Sequence, residues 1–282
     1  MKKILVPTDF SEKADFALEV ACKLADKSGA EVILLHVVES ASHSATSFTG
    51  QMNFGSAEEE IFTLKLIEKG KQEIEMRKQD PLFIGDNWRS EIQVGNAFHG
   101  IRNIINAQKV DLVVMGTSGV SGFDEMMIGS TAEKVVRYSK CPVITIHKKQ
   151  TSFDYDNIVF ATALQDEELM VLNLVQKIQK YYDSKIHLVR INTPNNFERD
   201  IDSFDALKKF AERANLTNYT TNVFNDITEE EGIIYFAEHI NADMIAMSTH
   251  GRTGLAHLLS GSIAEDVVNQ ANRPVLTSVI NE

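Results

Sequence analysis

"MGTSGVSGFDEMMIGSTAEKVV", Met115 to Val136, decides the reading of this chain, because its skeleton returns as "MSTHGRTGLAHLLSGSIAEDVV", Met247 to Val268. Gly119, Gly129 and Ser130 recur as Gly251, Gly261 and Ser262, each 132 positions further on. A pattern repeated at a fixed offset indicates an internal duplication, which has to be recognised before any local feature is interpreted.

The flanking segments repeat as well. In the first half, "KKILVPTDF" reads as a buried strand, and Ser11 can cap the helix that follows. Ala14, Ala17, Leu18, Ala21, Leu24 and Ala25 lie at helical spacing, and Gly29 stops that helix. "AEVILLHVVE" is a second buried strand. A Ser/Thr/Gly-rich loop follows over residues 40–57, then a charged amphipathic helix from about Glu58 to Lys78. "WRSEIQVGN" is a third strand, followed by a helix through Ile101, Ile104 and Ile105. "VDLVVMGT" is a fourth strand, then come the glycine loop and a helix from about Ser130 to Ser139. "CPVITIH" is a fifth strand, with Pro142 at its start, where a missing N–H is tolerated. Residues 148–157 read as a linker. After it "NIVFATAL", "KIHLVRIN", "TTNVFND", "ADMIAMSTH" and "RPVLTSVI" match the five strands in order.

Continuous apolar strands alternating with helices imply parallel sheets covered on both faces. The expectation is two tandem five-stranded α/β domains, residues 1–148 and 154–282. Leu5 corresponds to Val159, an offset of 154, whereas the glycine loops differ by 132. The second lobe is therefore shorter, chiefly where the first has its long loop and helix after strand two.

Composition narrows the function. The chain of 282 residues is 43% hydrophobic and 24% charged, as expected of a globular protein with ample core. No apolar run approaches the ~20 residues of a membrane span. The apolar part of the start is only "ILV", which argues against a signal peptide. Cys22 and Cys141 are isolated thiols without metal-site spacing and suit the reducing cytoplasm. The net charge of −12, without a dense Lys/Arg run, argues against a nucleic-acid partner. A small anion can still bind an acidic protein through backbone amides.

The pattern Gly116-x2-Gly119-x9-Gly129-Ser130 sits between a buried strand and a helix. Glycines there allow positive φ and close approach to a ligand. Gly129, Ser130 and Thr131 fall where a helix begins, so unpaired amides and the positive dipole end make a phosphate cradle. Pro7, Thr8 and Asp9 lie at one strand end and Val37 at another, which is where ligands of open α/β sheets sit. Each single feature also has a plainer reading, a tight turn for the glycines and a helix cap for Asp9. Ser118 and His250 hold matching loop positions and are assigned no chemistry. "GQMNFGSA", Gly50 to Ala57, has P-loop glycine spacing but no lysine, and no other nucleotide or hydrolase motif occurs.

"ILVPTDFS", "VILLHVVE", the glycine signature and "CPVITI" together resemble the universal stress protein family, and the resemblance covers both lobes. It implies the adenine nucleotide alpha hydrolase-like fold and, where the glycine signature is kept, binding of ATP, ADP or AMP. On that resemblance Pro7, Thr8 and Asp9 line the adenosine and Val37 contacts adenine. Met115 and Gly116 flank the ribose, and Gly119, Gly129, Ser130 and Thr131 hold the phosphates. Mg²⁺ can accompany a triphosphate, though no dedicated ligand cluster is evident. In the second lobe Ala161, Thr162 and Ala163 replace Pro7, Thr8 and Asp9, and Ser248 replaces Gly116. Its weaker candidate set is Ile191, Met247, Gly251, Gly261 and Ser262. The missing carboxylate should weaken that site about ten- to a hundredfold, from roughly 1.5–3 kcal/mol for a charged hydrogen bond.

Single-lobe relatives pair through the fifth strand, so "CPVITI" and "RPVLTSVI" are expected to pair within the chain as an internal pseudo-dimer, with further homodimerisation open. Three functions compete: a nucleotide-responsive regulator of the stress response, a slow ATPase, and a protein-interaction scaffold with a vestigial site. No catalytic base is legible, so at most weak ATP hydrolysis is expected.

Overall fold

A computed structural model describes residues 1–39, 57–83, 87–117, 128–250 and 263–280. The first half runs β1 (Lys3–Thr8), α1 (Glu12–Ser28), β2 (Glu31–Val38), α2 (Ala57–Gln79), β3 (Trp88–Val94), α3 (Ala97–Gln108), β4 (Leu112–Gly116), α4 (Ser130–Tyr138) and β5 (Val143–Ile146). The second runs β6 (Asn157–Ala161), α5 (Leu169–Tyr182), β7 (Lys185–Asn192), α6 (Asp200–Arg213), β8 (Tyr219–Asn225), α7 (Glu229–His239), β9 (Met244–His250), α8 (Ile263–Gln270) and β10 (Val275–Ile280).

Local chemistry sets the ends of these elements. Ser11 caps α1 by accepting from the Ala14 amide at 3.3 Å. Gly29 ends α1 at φ 70°, a left-handed conformation that only glycine adopts without strain. Strands β1 and β2 are almost wholly buried, as strands covered on both faces must be.

All ten strands form one sheet in the order β3-β2-β1-β4-β5-β10-β9-β6-β7-β8. Each half is parallel. The halves join through β5 and β10, which run antiparallel with Ile144 opposite Leu276. The expected pairing of the fifth strands is thus present inside the chain, and it fuses the two five-stranded sheets into one.

The two faces of this sheet are organised differently. On the α1/α5 face one apolar core spans both halves, with Ile4, Leu24, Leu34 and Val114 in continuity with Phe160, Val175, Leu188 and Phe210. On the opposite face each half has its own core. Leu5, Ile33, Ile101, Val113 and Val135 pack in the first, and Val159, Val189, Phe236, Ile245 and Val267 in the second. Ile128 packs against both of these cores.

The candidate site

Within each half the strand order reverses between the first and fourth strands, β1 and β4 in one and β6 and β9 in the other. A crevice opens at such a reversal, beyond the carboxyl ends of the strands. In the first half Pro7 and Thr8 end β1 and Gly116 ends β4.

The β1 exit is tightly held. Thr8 is buried, and its hydroxyl accepts from the Phe10 amide at 2.9 Å. Asp9 is exposed, and its carboxylate accepts from the Ser11 amide at 3.0 Å, so the turn-forming role of Asp9 is realised. His36 Nδ1 donates to the Thr8 carbonyl at 3.0 Å, and its ring stacks on Phe10 at 4.3 Å. Arg77 of α2 clamps the back of this loop. It lies over the Phe10 ring and donates to the Phe10 carbonyl at 3.1 Å. It also forks onto Asp15 at 2.6 and 2.8 Å and reaches Glu73 at 2.9 Å. Nothing in the sequence marks this clamp, because a single arginine in a charged helix looks like any solvated one.

Gly116 has a packing reason of its own. A Cβ there would lie 2.8 Å from the carbonyl carbon and oxygen of Lys13 and 3.1 Å from the Ala14 amide, all of it backbone. Met115 is buried in the core beneath the crevice, and Val37 is half-buried. At the far side Gly129 is the N-cap of α4 and has no side chain to bond the first-turn amides. Ser130 is exposed and Thr131 half-buried. The Gly129 amide donates to the Thr117 carbonyl, and the Thr117 hydroxyl pairs with His147 Nδ1 at 2.9 Å. The first half thus brings the β1 exit, the end of β4 and an uncapped helix start to the same edge of the sheet. Gly119 lies outside the described residues, as do Gly251, Gly261 and Ser262 of the second lobe.

The second half holds a carboxylate at another position. Ala163 does replace Asp9, but a carboxylate has not disappeared from the region. Glu168, 2% exposed, accepts from the Thr162 hydroxyl, the Ala163 amide at 3.2 Å, the Gln165 amide at 3.3 Å and the Ser248 hydroxyl at 2.9 Å. At the offset of 154 Glu168 matches Ala14, and at 132 Ser248 matches Gly116. The second half therefore has a Glu–Ser hydrogen bond at the two positions that match Ala14 and Gly116. Thr162 and Leu164 match Thr8 and Phe10, and both Phe10 and Leu164 have positive φ, so the loop shape is preserved. Ile191 and Met247 are buried.

A further glycine pair obeys the same repeat. Gly100 and Gly232 are also 132 apart. A Cβ on Gly100 would lie 3.0 Å from Val37 Cγ2, and one on Gly232 only 2.6 Å from Ile191 Cγ2. Each glycine lets a helix seat against the strand-end residue that the resemblance places next to adenine.

Burial raises the pKa of the Cys22 and Cys141 thiols to about 12, so neither is a nucleophile near neutral pH. Among the described residues no cluster of His, Cys, Asp or Glu is placed to hold a metal ion, and no helix is long and apolar enough to cross a membrane.

The fold is that of a duplicated, doubly wound α/β protein. The sequence model of the universal stress protein family matches residues 1–147 and again 154–278, and the chain belongs to that family. A universal stress protein of Methanocaldococcus jannaschii is 31% identical over 157 residues, which cover 53% of this chain and 97% of that protein. One from Synechocystis sp. is 23% identical over 289 residues and spans 98% of this chain and 99% of its own. The crystal structure of a universal stress protein from Archaeoglobus fulgidus DSM 4304 superposes with a TM-score of 0.71 at 21% identity, covering 98% of both chains. The two-lobed architecture is thus shared along the full length.

Proposed function

We propose that the first lobe binds an adenine nucleotide and that the protein is a nucleotide-responsive regulator in the stress response, acting in the cytoplasm. The observation that carries this reading is the meeting of the β1 and β4 ends with the uncapped N-terminus of α4 at Gly129. Such a helix start offers several amides and roughly half a positive charge to a phosphate, even in a protein of net charge −12. Family resemblance supplies the adenine. The binding unit is the domain of residues 1–148, with 154–282 as a second domain.

In this reading Pro7, Thr8 and Asp9 line the adenosine, Val37 contacts the base, and Met115 and Gly116 border the ribose. Gly119, Gly129, Ser130 and Thr131 hold the phosphates. Mg²⁺ would enter with a triphosphate. The second lobe is the weaker site. The Glu168 carboxylate already takes up the Ala163 amide, which matches that of Asp9, and adds negative charge beneath that loop. Among the described residues no side chain stands out as a base for rapid hydrolysis, and turnover is expected to be slow or absent.

The test is calorimetric titration of ATP into nucleotide-stripped protein. About one ATP per chain is expected. Gly129→Asp should abolish binding, because the new carboxylate sits where phosphate would, while Asp is itself a good N-cap and preserves the helix. Asp9→Ala should weaken binding. Well-folded protein that binds no nucleotide, or two equal sites per chain, would overturn the reading.

A further inference from the structure

The residue that precedes the N-cap of α4 in the first lobe is held by the second lobe. The Ile128 amide donates to Asn269 Oδ1, on α8, at 2.9 Å, across 141 residues of sequence. The Ile128 side chain packs against the separate cores of both lobes. The next residue, Gly129, is tied back to Thr117 at the end of β4. The entry to α4 is therefore fixed on one side by its own lobe and on the other by its neighbour.

The positions that match this link have diverged in sequence. At the offset of 132, Asn269 corresponds to Arg137 and Glu265 to Glu133. An equivalent return contact would need an acceptor at position 137, but the arginine there has only donors and lies 3.9 Å from Glu265. The duplicated helices have thus diverged at the position that meets the opposite lobe.

We infer that Asn269 is a positioning residue for the phosphate-binding end of the first-lobe site, so that nucleotide affinity in one lobe depends on a side chain of the other. The inference rests on the nucleotide reading above. An amide pinned at Ile128 sets the direction in which the chain enters Gly129–Thr131, and that direction aims the first-turn amides of α4. Asn269 itself touches neither base nor ribose in this arrangement. Its influence should therefore scale with the phosphates of the ligand and be absent for adenosine.

The experiment compares Asn269→Ala with the unsubstituted full chain, titrating each with ATP and with adenosine and recording thermal unfolding. Asn269 is half-exposed on a helix that alanine favours, so the variant is expected to fold. ATP affinity should fall about two- to tenfold, the equivalent of one lost hydrogen bond, while adenosine affinity stays within about twofold. Equal ATP affinity in the two proteins overturns the inference and leaves the nucleotide reading standing. Parallel loss of ATP and adenosine, with a lowered Tm, also overturns it, since Asn269 would then serve only the fold. Failure of the unsubstituted chain to bind ATP overturns the nucleotide reading and this inference with it.

Discussion

Gly116→Ser would place in the first lobe the residue that the second lobe carries at Ser248. The new Cβ would stand 2.8 Å from Lys13 backbone atoms, about 0.6 Å inside ordinary contact at 3.4 Å. Backbone at the start of α1 would have to give way, and overpacking of this kind costs about 1–3 kcal/mol. The hydroxyl would also arrive without the acceptor that Ser248 has, because Ala14 stands where Glu168 does. The missing partner offers nothing to offset this, so the expected total stays at about 1–3 kcal/mol. Urea unfolding followed by fluorescence of Trp88 would measure it, since this tryptophan lies on β3 of the affected lobe. The double variant Ala14→Glu/Gly116→Ser rebuilds the second-lobe pair and should recover at least about 1 kcal/mol. A single variant within about 0.5 kcal/mol of the parent would refute the packing argument. Additive losses in the double variant would refute the coupling of Glu168 to Ser248.

Two further outcomes follow from burial and from the shared sheet. Cys22 and Cys141 ordinarily titrate near 9.0 but are raised to about 12 by burial, so protonation favours the folded state. Their contribution is whole below pH 9 and is lost as pH rises towards 12. The urea midpoint should therefore fall over that range, and less steeply in Cys22→Ala/Cys141→Ala. Residues 1–148 expressed alone would expose the β5 edge and half of the core on the α1/α5 face. That fragment should self-associate in analytical ultracentrifugation, and a stable, well-folded monomer would contradict the account of the junction.

The elements were legible because inner strands such as β1 and β2 are nearly continuous apolar runs and helix ends such as those of α1 carry their own chemistry, at Ser11 and Gly29. The duplication added topology, since two copies of one pattern with exposed fifth strands imply their pairing. What stayed hidden depends on contacts between positions distant in sequence. Glu168 lies in "DEE", which reads as a solvated helix start, and only its approach to Thr162 and Ser248 makes it an interior group. Arg77 and Asn269 are ordinary helix residues until the fold sets Asp15 and Ile128 against them. Gly100 and Gly232 could have been found, for they obey the same offset of 132 as the glycine loops.

The covalent junction through β5 and β10 has a consequence for how such a molecule can change. When two identical chains meet about a twofold axis, every substitution is made on both sides at once, so no residue can be specialised for one of them. Here the axis is only approximate, and each side mutates independently. That freedom permits Asp9 in one lobe and Ala163 in the other, Gly116 facing Ala14 here and Ser248 facing Glu168 there. A gene duplication that looks like redundancy thus leaves each half free to diverge at positions that a true twofold would have kept identical.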